Sequence, residues 1–185
     1  MATVSTPLSF DRIIDEAIAI LDSEGAAALS RRRLATRLGV STMSTYHHVA
    51  DEHSLVEAVA ERIMSELELP KPGTDWPEAV RTLSWSFRRL TLAHPEAFKV
   101  LLSGVRPSAL LRTAELVQAL LEEHGFDHDS ALMVFRTFVR YLFGSAFADQ
   151  GGIAASPVLD GAKGDEQFSF GLEAIIAGVL ATQAI

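Results

Sequence analysis

Residues Leu29 to Val49 read LSRRRLATRLGVSTMSTYHHV, and they hold the strongest structural signal in the chain. Two short runs with helical spacing lie on either side of Gly39, and Ser30 and Ser41 stand where each would begin. Serine caps the first turn of a helix, and glycine allows the left-handed backbone of a tight turn. The stretch therefore predicts a helix-turn-helix, the arrangement that places its second helix in the major groove of DNA.

This stretch is also cationic within an acidic protein. Between Ser30 and His48 there are four arginines and no acidic residue, which gives +4, whereas the whole chain of 185 residues carries −8. The remaining residues therefore carry −12, and such polarity would turn the acidic parts of the protein away from an anionic partner. We expect that partner to be double-stranded DNA.

Apolar residues recur at helical spacing along the whole chain, without an alternating strand pattern, an internal repeat or a low-complexity tract. Ser9 and Gly25 delimit a first helix, Asp51 caps a fourth, and the segment LPKPG at residues 69–73 is the one clear module boundary. We therefore predict an all-α fold. A helix-turn-helix domain would occupy residues 1–52, a connecting helix about 52–68, and a second helical domain 69–185.

The second domain reads as helices separated by proline and glycine. Pro95 would end its first helix, and Asp127 would cap its longest. The expected helices are Trp76–His94, Glu96–Leu102, about 107–125, Asp127–Gln150 and Phe168–Leu180, with a loop over Gly151–Asp165.

The composition excludes several classes of site. The chain has no cysteine, so disulfides and thiolate metal sites are excluded. His47 and His48 are adjacent, so on a helix they point about 100° apart, and with no third ligand nearby we expect no metal and no other cofactor. No nucleophile–base pair or phosphate loop is present, and the acids and histidines over residues 122–128 are typical of a solvated helix end. An enzyme is therefore not expected.

No segment is expected to direct the chain to a membrane. The first ten residues, MATVSTPLSF, have neither the basic region nor the apolar core of a secretory signal. No run approaches the roughly 18 apolar residues of a membrane span. These features predict a cytoplasmic protein.

The side chains expected to contact DNA lie on the predicted second and third helices. Arg31 and Arg32 open the second helix, where guanidinium groups can meet a phosphate or a guanine edge. The outer face of the third helix adds Ser41, Thr42, Met43, Ser44, Tyr46, His47 and His48. A helical hairpin facing water can also carry a charge run, but the arginine cluster, the glycine turn and Tyr-His-His together favour DNA binding.

The segment LSRRRLATRLGVSTMSTYHHVADEHSLVEAV resembles the DNA-binding signature of the tetracycline repressor (TetR) family. The resemblance continues in WPEAVRTLSWSFRRLTLAH, in Arg106-Pro107, in EEHGFDHDSAL and in FSFGLEAIIAGVLA, so it covers nearly the whole chain. It implies a ligand-responsive repressor that binds a palindromic operator as a homodimer, with residues 69–185 serving effector binding and dimerisation. The dimer would form through the helix ending near Gln150 and the last helix, which carry more apolar surface than one monomer easily hides.

The resemblance also implies a small-molecule pocket in the C-terminal domain. Carried over by position, its lining would be Leu83, Phe87, Leu101, Val105, Arg106, Phe135 and Val139, joined by helical spacing by Trp85, Phe98 and Phe138. This set predicts an apolar effector, although the same residues at helical spacing are also what an ordinary core contains. Arg106 differs because a buried cation needs an anion or a carbonyl as its partner.

Three features depart from the family. Glu52 stands where the family has a lysine that meets a phosphate, and Leu101 and Ala148 stand where tetracycline-binding members hold magnesium with His and Glu. The loop Gly151–Asp165 is too short for the extra helix that covers the partner's pocket in those members. We therefore expect an effector other than a metal–tetracycline complex. The alternative left open is a dimeric small-molecule binding protein with weakened or lost DNA binding, which Glu52 would favour.

Overall fold

The computed structural model describes residues 8–46, 49, 51–102, 107–150 and 164–183. All regular structure in these ranges is helical, which confirms the predicted all-α fold. The elements are α1 (Phe10–Glu24), a 3₁₀ turn (Ala26–Ala28), α2 (Arg31–Leu38), α3 (Thr42–Tyr46), α4 (Glu52–Met64), α5 (Trp76–Ala93), α6 (Pro95–Leu102), α7 (Ser108–Glu123), α8 (His128–Asp149) and α9 (Gly164–Gln183).

Short-range hydrogen bonds begin these helices at the predicted residues. The Ser30 hydroxyl accepts from the Arg33 N–H at 3.2 Å, and the Asp51 carboxylate accepts from the Ser54 N–H at 2.7 Å. Equivalent bonds cap α1, α3, α5 and α8 through Ser9, Ser41, Asp75 and Asp127. Each cap satisfies a backbone N–H that has no partner inside its helix, so the helix starts are set locally.

The largest differences from the predicted boundaries are at the end of α4 and the start of α9. The connecting helix α4 ends at Met64 rather than near 68. The Ser65 hydroxyl donates to the Arg62 carbonyl, and the Glu66 N–H donates to the Ile63 carbonyl, three residues back, in a tighter final turn. α9 begins at Gly164 rather than Phe168, and its first turn carries Asp165 and Glu166, which complement the positive end of the helix.

The chain forms two compact units. The first comprises Met1–Glu66 together with His94–Leu110, so α6 clusters with the helix-turn-helix although its sequence lies within the range 69–185. Its core packs apolar residues of α1, α2, α4 and α6, among them Ile13, Leu34, Val59 and Ala97. α6 joins this core because Ala97 and Val100 recur at helical spacing and supply the apolar face that α1 and α4 bury.

The second unit comprises Leu67–Ala93 and Leu111–Ile185. Its core brings together Trp76 and Val80 of α5, Leu121 of α7, Phe138 of α8 and Leu172 of α9. α5 also meets α8 through the Phe87 and Phe143 rings, whose centroids are 5.3 Å apart. These contacts leave one side of α8 and one side of α9 exposed.

α8 is long and apolar enough, by length and composition, to cross a membrane, contrary to the prediction that no segment is. Only 17% of that apolar window is buried within the chain. Arg136 and Arg140 are exposed near its middle, and an arginine at the centre of a bilayer costs about 3 kcal/mol even on the most favourable scale. The exposed apolar surface of α8 therefore favours a protein partner over lipid.

Candidate nucleic-acid interface

The turn between α2 and α3 has the geometry that a helix-turn-helix requires. Gly39 has φ +69°, in the left-handed region, and the Val40 N–H donates to the Ala35 carbonyl at 3.0 Å. Ala35 is buried, so α2 can approach its neighbours closely. Leu34 and Leu38 point into the core of the first unit, which leaves the opposite face of α2 to solvent.

The structure divides the four arginines of this region into two pairs. Arg33 donates to both carboxylate oxygens of Glu24, and Arg37 reaches Glu16 at 2.6 Å and Glu24 at 3.2 Å. The hydrogen bond from Arg33 is the main reason that the pKa of Glu24 lies below its ordinary value. These two guanidinium groups therefore hold α2 against α1, and only the other two stand at the start of α2.

Arg31 and Arg32 are the first two residues of α2. Arg32 is exposed and has no ion-pair partner within the part of the chain that the structure describes. The positive charge of Arg31 adds to the effect of the Ser54 N–H, and both lower the pKa of Asp51 at the start of α4. The beginning of α2 thus presents positive charge, as a contact to phosphate needs.

α3 presents hydroxyl groups and a thioether to solvent. Ser41, Thr42 and Met43 are exposed, Met43 to 69%, and Ser44 is half-buried. Thr45 turns inward instead, because it is 2% exposed and its hydroxyl donates to the Thr42 carbonyl at 2.7 Å. The outward set can meet phosphates through its hydroxyls and the thymine methyl through Met43.

Of the three remaining predicted DNA contacts, the structure describes only one. Tyr46 is the last residue of α3, while His47 and His48 lie outside the described residues. Glu52, the residue that departs from the family pattern, is exposed at the first position of α4. Its carboxylate lies next to the Asp51 cap, so the start of α4 is acidic.

The predicted effector residues fall in both units. Leu83 and Phe87 are buried and Phe135 and Val139 half-buried in the second unit, whereas Leu101 is buried in the first. Val105 and Arg106 lie outside the described residues. A surface groove of about 580 Å³ in the second unit is lined by the turn between α7 and α8, the start of α8 and the end of α9, and by none of these residues.

Sequence reasoning missed two features of the charge arrangement. It counted Arg33 and Arg37 with the free positive charge, and it did not single out Arg88, which is buried in the second unit. The carboxylate partners of these arginines lie on other helices, 9 to 77 residues away in sequence. Spacing within one helix carries no signal for such partners.

Comparisons with known proteins agree with this geometry. Residues 69–158 match the family of tetracycline repressor-like C-terminal domains. The tetracycline repressor protein class D of Escherichia coli is 28% identical over 194 residues, covering 92% of this chain and 88% of that protein. ActR of Streptomyces coelicolor, solved in complex with (S)-DNPA, is 31% identical with a TM-score of 0.76, covering 96% of this chain and 99% of the other. The chain belongs to the TetR family.

Other TetR-family structures are similar over the same length. ActR solved with actinorhodin has a TM-score of 0.82 at 28% identity, covering 96% of this chain and 97% of that one. A variant of TetR from Acinetobacter baumannii, solved with minocycline, has a TM-score of 0.81 at 28% identity, covering 95% and 98%. The resemblance of this TetR-family chain therefore includes its C-terminal part as well as its helix-turn-helix.

Proposed function

We propose that this chain is a ligand-responsive transcriptional repressor that binds a palindromic operator as a homodimer and is released by a small apolar effector. The observation that carries the proposal is the arrangement around Gly39. A left-handed glycine joins α2 to α3, and Arg32, Thr42 and Met43 face outward on the two helices. Membership of the TetR family and similarity to a protein named as a tetracycline repressor support the same function.

The DNA contacts follow from this arrangement. α3 enters the major groove, where Thr42 and Met43 meet base edges and Ser41 and Ser44 meet phosphates. Arg31 and Arg32 anchor the start of α2 on the backbone, and His47 and His48, which follow α3 directly, extend the contact. Because the rest of the chain is acidic, attraction to DNA comes from the phosphate contacts of this region, and the affinity falls as the salt concentration rises.

The dimer uses the exposed sides of α8 and α9. On α8, Met133, Thr137, Arg140, Gly144 and Phe147 are exposed at successive spacings of four and three residues, which is one face of a helix. On α9, an exposed face carries Phe170, Ala174, Ala177 and Ala181. The opposite face of α9 is buried in the core, so apolar residues lie on two sides of this helix, and the exposed side favours a partner.

Two such helices from each chain make a four-helix bundle about a two-fold axis. The small alanine side chains on α9 let the backbones approach closely. Two-fold symmetry then requires two α3 helices spaced by about 34–36 Å, one turn of DNA, or a multiple of it, and an inverted-repeat operator. These requirements support a palindromic site.

The effector site is proposed around Leu83, Phe87, Phe135 and Val139 of the second unit. The small-molecule complexes of ActR and of the Acinetobacter TetR support a small-molecule ligand for this chain as well. Leu101 is buried and Ala148 is exposed, and neither side chain can coordinate magnesium. We therefore propose an apolar effector bound without a metal.

Release is proposed as a shift between two populations of the dimer, one of which holds the α3 helices at operator spacing. The connecting helix α4 is proposed as one lever, because it follows the reading helices in the sequence and the second unit begins soon after it, at Leu67. α6 is proposed as a second lever, because its first turn contacts the turn before α2 within the first unit. Glu96 accepts from the Ala26 N–H at 3.2 Å, and His94 lies 2.9 Å from Asp22.

The first test is selection of bound duplexes from a random pool by the purified protein, followed by affinity measurements at several salt concentrations. Recovery of an inverted repeat with a steep salt dependence is the expected result. Screening of small apolar molecules against the protein–operator complex would then identify the effector. No enrichment at low salt would contradict operator binding and would leave a dimeric small-molecule binding protein as the alternative. In either case we propose a cytoplasmic location.

A further inference from the structure

Arg88 of α5 is 5% exposed and is the one buried charged side chain among the residues that the structure describes. Its Nε donates to the Asp165 carboxylate at 3.0 Å, and its Nη1 donates to Asp149. The guanidinium group also lies over the Phe168 ring, 4.9 Å from its centroid. One side chain thus contacts an anion on each of two other helices and an aromatic ring.

The two carboxylates mark the neighbouring ends of α8 and α9. Asp149 is the last residue of α8, and Asp165 is the second residue of α9. Arg88 therefore fixes the end of one helix to the start of the next and both to α5. Arg81 of α5, by comparison, reaches one other helix, through Glu173 of α9.

The surroundings of Arg88 leave little freedom for these helices to shift. The Tyr141 hydroxyl of α8 donates to the Phe168 carbonyl of α9 at 2.5 Å. A Cβ atom at Gly164 would lie only 2.8 Å from Arg88 Nη2, so the start of α9 packs against the guanidinium group itself. Ion pair, hydrogen bond and close packing all act at the same end of the α8–α9 pair.

Stability alone explains such an arrangement poorly. Burying an arginine costs several kcal/mol of desolvation, and apolar residues of similar volume are often equally stabilising. Buried ion pairs are better at selecting one arrangement of helices, because any other arrangement leaves the charge unpaired. A homodimer formed by α8 and α9 needs one fixed arrangement, since its two-fold bundle has to match itself.

We infer that Arg88 is a positioning residue for the homodimer. It sets the angle at which α8 and α9 present their outer faces, with Phe147 near the clamped end of α8 and Phe170 near that of α9. Arg88 does not contact the partner itself. This inference rests on the proposed dimer and adds the residue that prepares its surface.

The test is the dimer dissociation constant of Arg88→Met, measured by analytical ultracentrifugation with the full chain. Met keeps the aliphatic packing on Phe168 and removes the charge. The matched control is Arg89→Met, the next residue on α5, whose exposed guanidinium pairs only with Glu68 at 2.9 Å. Both variants are compared at a temperature where circular dichroism shows full helix content, so that a general loss of stability does not contribute.

We expect Arg88→Met to raise the dissociation constant about tenfold or more, while Arg89→Met stays within about twofold of the parent chain. Arg88→Lys should lie between them, because an ammonium group cannot hold both carboxylates in the same planar geometry. A dissociation constant for Arg88→Met within about twofold of the parent would overturn the inference and leave the dimer intact.

If Arg88→Met does not fold, the dimer dissociation constant of Asp165→Asn tests the inference instead. Asp165 is 75% exposed, and its substitution leaves Arg88 paired with Asp149. We expect this variant to fold and to weaken the dimer about threefold, and no change would overturn the inference. A parent chain that stays monomeric at every concentration would instead contradict the proposed dimer itself.

Discussion

Arg33 and Glu24 form a two-point ion pair, in which Arg33 Nε lies 2.8 Å from Glu24 Oε2 and Arg33 Nη2 lies 2.7 Å from Glu24 Oε1. The pair joins the first turn of α2 to the last residue of α1. An arginine held this way has the Nε–Nη2 edge of its guanidinium group fixed by one carboxylate, so it orients α2 instead of reaching for DNA. Arg32, its neighbour, has no such partner among the described residues.

This difference predicts that Arg32→Ala affects DNA binding and Arg33→Ala affects stability. Arg32→Ala should weaken operator binding about tenfold and lower the slope of log affinity against log salt by about one, because one phosphate contact is lost. Arg33→Ala should lower the melting temperature and leave the salt slope unchanged. Fluorescence anisotropy on the selected operator and thermal unfolding measure the two effects. An equal change of slope in both variants would contradict the assignment.

Glu52 predicts a gain of affinity. Its exposed carboxylate lies at the start of α4, next to Asp51, whose side chain feels the charge of Arg31, and it should repel a phosphate there. Glu52→Lys should therefore bind the operator more tightly and steepen the salt slope by about one. Glu57→Lys, an exposed change of the same charge one turn further along α4, is the control and should have a smaller effect. Equal gains in both variants would indicate net charge alone.

Asp51 predicts a pH-dependent stability. The hydrogen bond from the Ser54 N–H, followed by other interactions that include the charge of Arg31, lowers the pKa of Asp51 in the folded chain. The folded state therefore holds the Asp51 proton less tightly than the unfolded state. The stabilisation is complete above the unfolded pKa of about 3.9 and is lost as the pH falls through the folded value.

The matching variant is Asp51→Asn, which keeps an oxygen acceptor for the cap and removes the charge. Its melting temperature should lie below that of the parent chain near neutral pH, and the two should converge as the pH falls through the lowered pKa of Asp51 in the folded chain. Differential scanning calorimetry over this range makes the comparison. A difference that is independent of pH would show that the carboxylate charge contributes nothing to the cap.

Gly39 predicts a backbone effect at the turn. A Cβ atom there would meet nothing within 4 Å, so space is available and only the positive φ of +69° disfavours other residues. Gly39→Ala should cost about 1 kcal/mol of unfolding free energy, measured by urea denaturation. Gly39→Asn should cost less, because asparagine adopts the left-handed conformation more readily. If the alanine variant were as stable as the parent, the turn would have to adopt another conformation.

Gly171 predicts a steric effect between α8 and α9. A Cβ atom there would lie 2.6 Å from the Tyr141 hydroxyl and 2.7 Å from its Cε2. Gly171→Ala should therefore destabilise the chain by about 1–3 kcal/mol. In a Tyr141→Phe background most of that penalty should remain, because the ring carbon still clashes, whereas in a Tyr141→Ala background it should disappear. A penalty that survives Tyr141→Ala would point to a different cause.

Some of the structure could be read from local sequence. Ser30, Ser41 and Asp51 cap their helices through hydrogen bonds that reach three residues along the chain. Such bonds depend on residue type and spacing, which the sequence states directly. The turn at Gly39 is readable for the same reason. The DNA-facing residues Thr42 and Met43 follow once α3 is placed.

Other features depend on which helices meet. The sequence states that Arg33 and Arg37 are cationic, but the ion pairs with Glu16 and Glu24 exist only because α2 packs across α1. α6 belongs by sequence to the C-terminal range, and its apolar face places it in the core of the first unit.

The sequence by itself therefore determined the all-α fold, the helix starts and the reading turn, because these follow from interactions within one or two helical turns. Tertiary structure decided which charged side chains remain available to DNA and which form ion pairs inside the protein. Arg88 is the clearest case, since its partners Asp149 and Asp165 lie 61 and 77 residues away. A charge pair across that distance forms only after the helices have packed, and packing energy rather than local preference brings the groups together.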